Sequence, residues 1–161
     1  MAIIETVRTK CRDCYKCVRA CPVKAIKVSR GPGLYEMHAS VVEEFCIHDG
    51  TCIRECPQKA KKVRSDLHLV RQLLVKGEDV AVSLAPSFAG ALPVDEPLRV
   101  VTALRKMGVR VVQETALGAE MVAALQKRLL EEGRGPMISS SCPAVVSLVE
   151  KHFPEALPFL S

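Results

Sequence analysis

The chain has 161 residues and a mass of 17.6 kDa, enough for one compact domain or two small ones. Apolar residues make up 48% and charged residues 25%, which argues against disorder, and with aromatics at 4% and no Trp any core must be built from Val, Leu, Ile and Ala. The net charge of +5 hides two different halves, because residues 1–76 balance at +7 and residues 77–161 at −2.

The N-terminus reads MAIIETVRTK and meets cysteines at once, with no secretory hydrophobic region. No apolar run approaches the ~18 residues of a membrane span. The expectation is a cytoplasmic chain that does not enter a membrane. Residues 11–28, CRDCYKCVRACPVKAIKV, return at 46–63 as CIHDGTCIRECPQKAKKV. At this offset of 35, 9 of 18 positions are identical, so the front of the chain is an internal repeat. Between the copies lie a Gly-Pro-Gly turn (Gly31 to Gly33) and an alternating stretch, LYEMHASVVE, expected as a strand or hairpin arm.

The pattern changes after residue 64. Asp66 is placed to cap a helix through Leu67, Val70, Leu73 and Leu74, with Gly77 just past its end. VAVSLAP (80–86) reads as a buried strand stopped by Pro86. PLRVVTALRKM (97–107) reads as a helix with Pro97 in its first turn and Gly108 at its end. VRVVQET (109–115) reads as a second strand, 116–132 as a long helix closed by Gly133, PMISS (136–140) as a third strand, and SCPAVVSLVEKHFP as a last helix. The expected fold is an α+β ferredoxin-like two-cluster domain over 1–65, a linker helix over 66–79, and an α/β portion with a short parallel sheet over 80–161.

Eight cysteines carry the chemistry, seven of them between 11 and 56. Nothing indicates secretion, so clustered thiols point to metal rather than disulfides. The first block is C-x2-C-x2-C-x3-C-P at Cys11, Cys14, Cys17 and Cys21, the bacterial ferredoxin run for cubane iron–sulfur clusters. Three thiolates at this spacing wrap one cluster, while the fourth faces away and completes the other. Site I is therefore assigned Cys11, Cys14, Cys17 and Cys56, as a 4Fe–4S cluster. Site II is assigned Cys46, Cys52, Cys21 and the group at position 49. There the repeat has Asp49 in place of cysteine, a harder donor for soft iron. Two readings stay open: Asp49 ligates the fourth iron of a 4Fe–4S cluster, or that iron is lost to leave 3Fe–4S. His48, next door, is a weaker alternative donor for that corner because it is off the cysteine register, and its plainer reading is a solvated loop residue. Structural zinc also uses cysteine pairs, but it does not need three regularly spaced cysteines followed by Cys-Pro, twice.

The run Lys59, Lys61, Lys62 and Arg64 is basic, but no aromatics interleave with it to stack bases, so nucleic acid is not expected. Cluster I adds about −2 and cluster II about −1 beyond Asp49, leaving the front half at about +4. A basic face of that kind suits an acidic electron carrier such as a ferredoxin.

Cys142 stands between a short strand and a helix start, where the positive helix end favours a thiolate. With the two ferredoxin blocks, the segments VAVSLAPSFAGAL, LRKMGVRVVQETALGAEM and MISSSCPAVVSLVEKHFPEALPFLS resemble the FeFe hydrogenases and their hydrogenase-like relatives, from about residue 5 to the end. The last segment resembles the family's Thr-Ser-Cys-Cys-Pro motif. The resemblance implies that Cys142 matches the second cysteine, a ligand of the cubane part of the H-cluster. It implies that Ser141 stands where catalytic members carry the proton-relay thiol, with Ser139 at the Thr and Ser140 at the Ser. A serine hydroxyl is a far weaker acid than a thiol, which is closer to the sensory branch of the family. The family's other active-site motifs would lie beyond Ser161. One thiolate cannot hold an H-cluster, so the 161 residues are expected to be part of a longer protein, no catalytic residue is assigned, and an H-cluster is expected only with a longer chain. Two functions follow: electron transfer between a soluble carrier and the remaining hydrogenase-like domain or subunit, or redox or hydrogen sensing through a labile Asp-ligated cluster.

Overall fold

The computed structural model describes residues 3–30 and 37–161. The expected Gly31–Gly33 turn and the first residues of LYEMHASVVE lie outside them. Contacts divide the chain into two compact units, Met1–Arg64 with Pro136–Ser161, and Ser65–Gly135. The helix expected as a linker thus falls in the second unit, and the segment from Pro136 in the first.

The first unit is laid out by the repeat. Strand β1 (Ile4–Thr6) leads to a single 3-10 turn at Arg8–Lys10 and the first cysteine loop. Short helix α1 (Lys16–Ala20) and strand β2 (Ile26–Arg30) follow, and β3 (Met37–Val41) returns antiparallel to β2 with Ile26 opposite Val41 and Arg30 opposite Met37. The second copy gives helix α2 (Thr51–Arg54) and strand β4 (Lys61–Val63). β4 pairs antiparallel with β1, Thr6 facing Lys61 and Ile4 facing Val63. The two ends of the repeat are thereby closed by separate two-stranded sheets.

The core of this unit is unusual in composition. Ile4, Ala25, Ile26 and Ala39 share it with Cys17, Cys21, Cys46 and Cys52, and Val18, Val23, Val41 and Ile53 pack around them. Half of the buried cluster is therefore thiol, and an apolar core this small does little to hold so short a chain together.

In the second unit, α3 (Leu67–Val75) starts after Asp66, although the Ser65 hydroxyl rather than the Asp66 carboxylate accepts the Leu67 N–H, at 3.4 Å. Strand β5 (Ala81–Leu84) and the single turn α4 (Phe88–Ala91) precede α5 (Leu98–Lys106), with Pro97 immediately before it. Gly108 takes φ +100°, a value that lets the chain leave α5 and enter β6 (Val111–Glu114) without the strain a side chain would bring. β6 lies parallel to β5, in register from Ala81–Val111 to Leu84–Glu114. It passes directly into the long helix α6 (Thr115–Glu131).

The expected third strand at 136–140 does not join this sheet. Ile138 instead makes one parallel bridge with Leu160, its N–H donating to the Phe159 carbonyl at 2.6 Å and its carbonyl accepting from Ser161 at 3.0 Å. Helix α7 (Pro143–His152) and a 3-10 segment at Pro154–Phe159 complete the first unit. No helix among the described residues is long and apolar enough to cross a membrane.

Candidate metal centres

The cysteine loops are built on a left-handed backbone. Asp13, Tyr15 and Lys24 have φ near +50°, and so do His48 and Lys59, with Gly50 at +74°. These positions correspond at the same offset of 35 as the sequence repeat. Five of the six carry a side chain, so the conformation is held against its local cost, as happens where a loop must present its donors inward. Cys17 then enters α1 and Cys52 enters α2, both buried.

Backbone donors are aimed at sulfur in both copies. The Ala25 N–H reaches Cys21 Sγ at 3.3 Å and the Ala60 N–H reaches Cys56 Sγ at 3.2 Å, while the His48 N–H reaches Cys46 Sγ at 3.4 Å. Ala25 and Ala60 are each 1% exposed, which fixes those donors against the sulfurs. Such donors favour a thiolate over a thiol.

The buried thiols act on one another across the two loops. Burial pushes the Cys17 thiol up, and the thiols of Cys56 and Cys11 add to this while Lys61 opposes it. Burial pushes Cys46 up as well, reinforced by Glu43 and Cys21 against the His48 N–H and the Lys151 ammonium. Cys52 is pushed up to about 11, by burial first, with Cys46, Cys17 and Asp49 adding and Lys61 opposing. At Cys56 burial also pushes upward, but the N–H groups of Ala60, Lys61 and Gln58 and the Lys61 charge outweigh it, so this thiol is lowered. Cys14 is exposed and donates to Gln58 Oε1 at 3.6 Å, two residues from Cys56. Cys17 thus feels Cys11 and Cys56, Cys46 feels Cys21, and Cys52 feels Cys46, Cys17 and Asp49, while Cys14 lies against Gln58 of the second loop.

Asp49 is exposed at the register of Cys14. Its carboxylate accepts the Thr51 N–H at 3.4 Å and a short bond from the Thr51 hydroxyl. His48 is half-buried rather than solvated, its Nε2 2.6 Å from Glu43 Oε1. Cys142 is exposed and precedes α7, and the Ser139 and Ser141 hydroxyls bond each other at 2.7 Å beside it. The Ser140 hydroxyl donates to the Ser161 carbonyl at 2.5 Å.

Three features escape a reading of the cysteine spacing. Lys61, which the sequence groups with a basic surface run, is 4% exposed. Lys151 of α7 donates to the carbonyls of Glu43 at 3.0 Å and Cys46 at 2.7 Å, and the next residue, His152, bonds the Phe45 carbonyl at 2.8 Å. Donor atoms of Cys11, Asp13 and His38 lie within 4.8 Å of one another. The repeat does hold a signal for Lys61, whose counterpart in the first copy is the core residue Ile26.

Grouped buried thiols, backbone N–H groups directed at sulfur and a core half made of cysteine fit an iron–sulfur cofactor. Comparison with known proteins agrees. Residues 10–60 match the family model of the 4Fe-4S dicluster domain, and residues 78–161 match that of the iron only hydrogenase large subunit, C-terminal domain. Iron hydrogenase 1 of Clostridium pasteurianum is 33% identical over an alignment that covers 96% of this chain and 31% of that protein. The chain thus spans about a third of the curated relative it matches. It is a metal-binding iron–sulfur protein of 4Fe–4S type, and it belongs to the family of iron-only hydrogenase large subunits.

Proposed function

We propose that this chain is the electron-transfer portion of a hydrogenase-like protein, with a ferredoxin-like front that carries two clusters. Site I is a 4Fe–4S cluster on Cys11, Cys14, Cys17 and Cys56. Site II is held by Cys21, Cys46, Cys52 and Asp49, as 4Fe–4S or, with the Asp49 corner open, 3Fe–4S. The observation that carries this reading is the burial of Cys17, Cys21, Cys46 and Cys52 from both loops in one core, with backbone N–H groups on the sulfurs of Cys21, Cys46 and Cys56; the influence of Cys56 on Cys17 and of Cys21 on Cys46 supports the crossed assignment. When bound, the clusters supply single-electron redox levels and no bond chemistry. The residues of the chain hold the sulfurs, aim backbone dipoles at them and exclude water from Cys17, Cys21, Cys46 and Cys52.

Electrons arrive, in this reading, from an acidic soluble carrier such as a ferredoxin. Its support is the exposed basic set around the loops, Arg12, Arg19, Lys24, Lys59 and Lys62. They leave toward the remaining hydrogenase-like domain or subunit, where Cys142 is one ligand of an H-cluster. Apolar side chains left in water support such a covering partner: Val75 is 88% exposed, Leu98 76% and Met121 69%. A single thiolate at Cys142 does not hold an H-cluster, so hydrogen turnover requires the partner's ligands.

A second reading, a redox or hydrogen sensor, is favoured by Asp49. An exposed oxygen donor already engaged by Thr51 holds iron less firmly than a buried thiolate. One anaerobic experiment tests both. Pre-reduced acidic ferredoxin is mixed with the oxidised protein by stopped flow at about 0.05 M and about 0.5 M salt, a range over which exposed charges become screened. The expected result is rapid bleaching of the cluster absorbance that slows steeply at high salt. Absent or salt-independent bleaching contradicts an acidic carrier. Mild oxidation of the same sample followed by iron counting then separates the roles: a stable count supports a conduit, and reversible loss of one iron supports a sensor.

A further inference from the structure

Lys61 is the one buried charged side chain among the described residues. It opens β4, across from Thr6 of β1, and its Nζ donates to Thr6 Oγ1 at 2.6 Å and to the Ala39 carbonyl at 2.8 Å. The Thr6 hydroxyl in turn donates to the same Ala39 carbonyl at 2.8 Å. Both acceptors are neutral, and among the described residues no carboxylate forms an ion pair with this ammonium. Its neighbours in the run differ: Lys59 and Lys62 are exposed, and Lys62 pairs with Glu5 at 3.5 Å.

A buried ammonium without a counter-charge is costly. The repeat shows that the slot does not demand one, because its twin Ile26 is buried at the head of β2 with an aliphatic side chain. Something other than packing therefore keeps a cation at position 61. Its charge acts on sulfur in both loops, on Cys17 of the first and on Cys52 and Cys56 of the second. The preceding residue, Ala60, donates its N–H to Cys56 Sγ at 3.2 Å, and β4, which Lys61 opens, packs against α2, the helix that carries Cys52.

We propose that the Lys61 ammonium is a fixed positive charge shared by both iron–sulfur sites, neutralising part of their negative charge and raising both reduction potentials. This rests on the two-cluster reading above. On reduction a cluster takes one electron from an external donor; no bond forms or breaks and no proton moves, so the site gains one negative charge. In a poorly polarisable interior a cation nearby stabilises that state more than the oxidised one. Because the Lys61 charge acts on Cys17 of the first loop and Cys52 of the second, a single cation acts on both sites. Lys61 is a tuning residue and touches no substrate.

The test is an anaerobic redox titration of the loaded protein, followed by electron paramagnetic resonance, on the parent and on Lys61→Gln, Lys61→Arg and Lys59→Met. Lys61→Gln keeps two hydrogen-bond donors for Thr6 and Ala39 and drops the charge. The expected result is at least a tenfold fall in the reduced-to-oxidised ratio of both clusters at a fixed potential, equivalent to about 59 mV for a one-electron couple. Lys61→Arg is expected to restore most of this, and Lys59→Met, at an exposed site, to move much less. Should Lys61→Gln not retain its clusters, Lys61→Met is titrated in its place. Retention by the Arg variant alone supports a required charge. Loss of clusters from the Arg variant as well overturns the proposal, as do loaded neutral variants with unmoved potentials. A parent without labile sulfide would refute the two-cluster reading itself, and the two failures are thereby distinct.

Discussion

Asp49 occupies the place that Cys14 holds in the first copy, and both side chains face solvent. Its hydrogen bonds to Thr51 hold the carboxylate on the loop just before α2, while its charge reaches Cys52. Replacing it restores the donor that every other loop position already provides. Asp49→Cys is expected to give two conventional four-iron clusters and to suppress iron loss at site II. The check is iron analysis with electron paramagnetic resonance; spectra and iron count unchanged from the parent would show that position 49 is not the variable ligand. At this scale the sequence speaks clearly where donors are local. Three cysteines within seven residues announce their own geometry, and the substitution at 49 is visible by alignment of the chain with itself. Lys61 is different. Its burial depends on Thr6, 55 residues away, and on the β1–β4 pairing, so a run of lysines reads as a solvated face until that pairing is known.

At the scale of elements, short helices serve the loops rather than the core. α1 and α2 are each about one turn long, too short to persist alone, and each begins at a left-handed residue that turns a cysteine inward. α7 is longer and binds the second cysteine loop through Lys151 and His152, at the Cys46 and Phe45 carbonyls. Cys142, at the opposite end of α7, has no part in those bonds. Cys142→Ser is therefore expected to leave both clusters spectroscopically intact, with stability changed by less than about 0.5 kcal/mol, as for exposed substitutions generally. Altered cluster spectra in that variant would place Cys142 in one of the two sites. Helices α3, α5 and α6 and strands β5 and β6 lie close to where apolar spacing, Pro97 and Gly108 put them, because their signals are contained in single windows of sequence. PMISS failed as a sheet strand for the converse reason. Its partner is Leu160, and the Ser-rich end gives its hydrogen bonds to Ser161, a pairing that alternation cannot encode.

For the whole molecule, the two units differ in what holds them together. The first gathers thiols and small aliphatic residues around the cysteine loops, and the contacts of Lys151 draw the segment from Pro136 into it. The second buries Val109 and leaves much of α3, α5 and α6 exposed to water. A core in which half of the buried cluster is thiol also implies that cluster assembly and folding of the front unit are linked. The most direct test of two clusters sharing crossed thiols is an iron and acid-labile sulfide count on protein prepared without oxygen. Expected are about eight irons, or about seven if the Asp49 corner is open, with matching sulfide and broad brown absorbance. A pale protein with no labile sulfide, or one carrying zinc in its place, would contradict it.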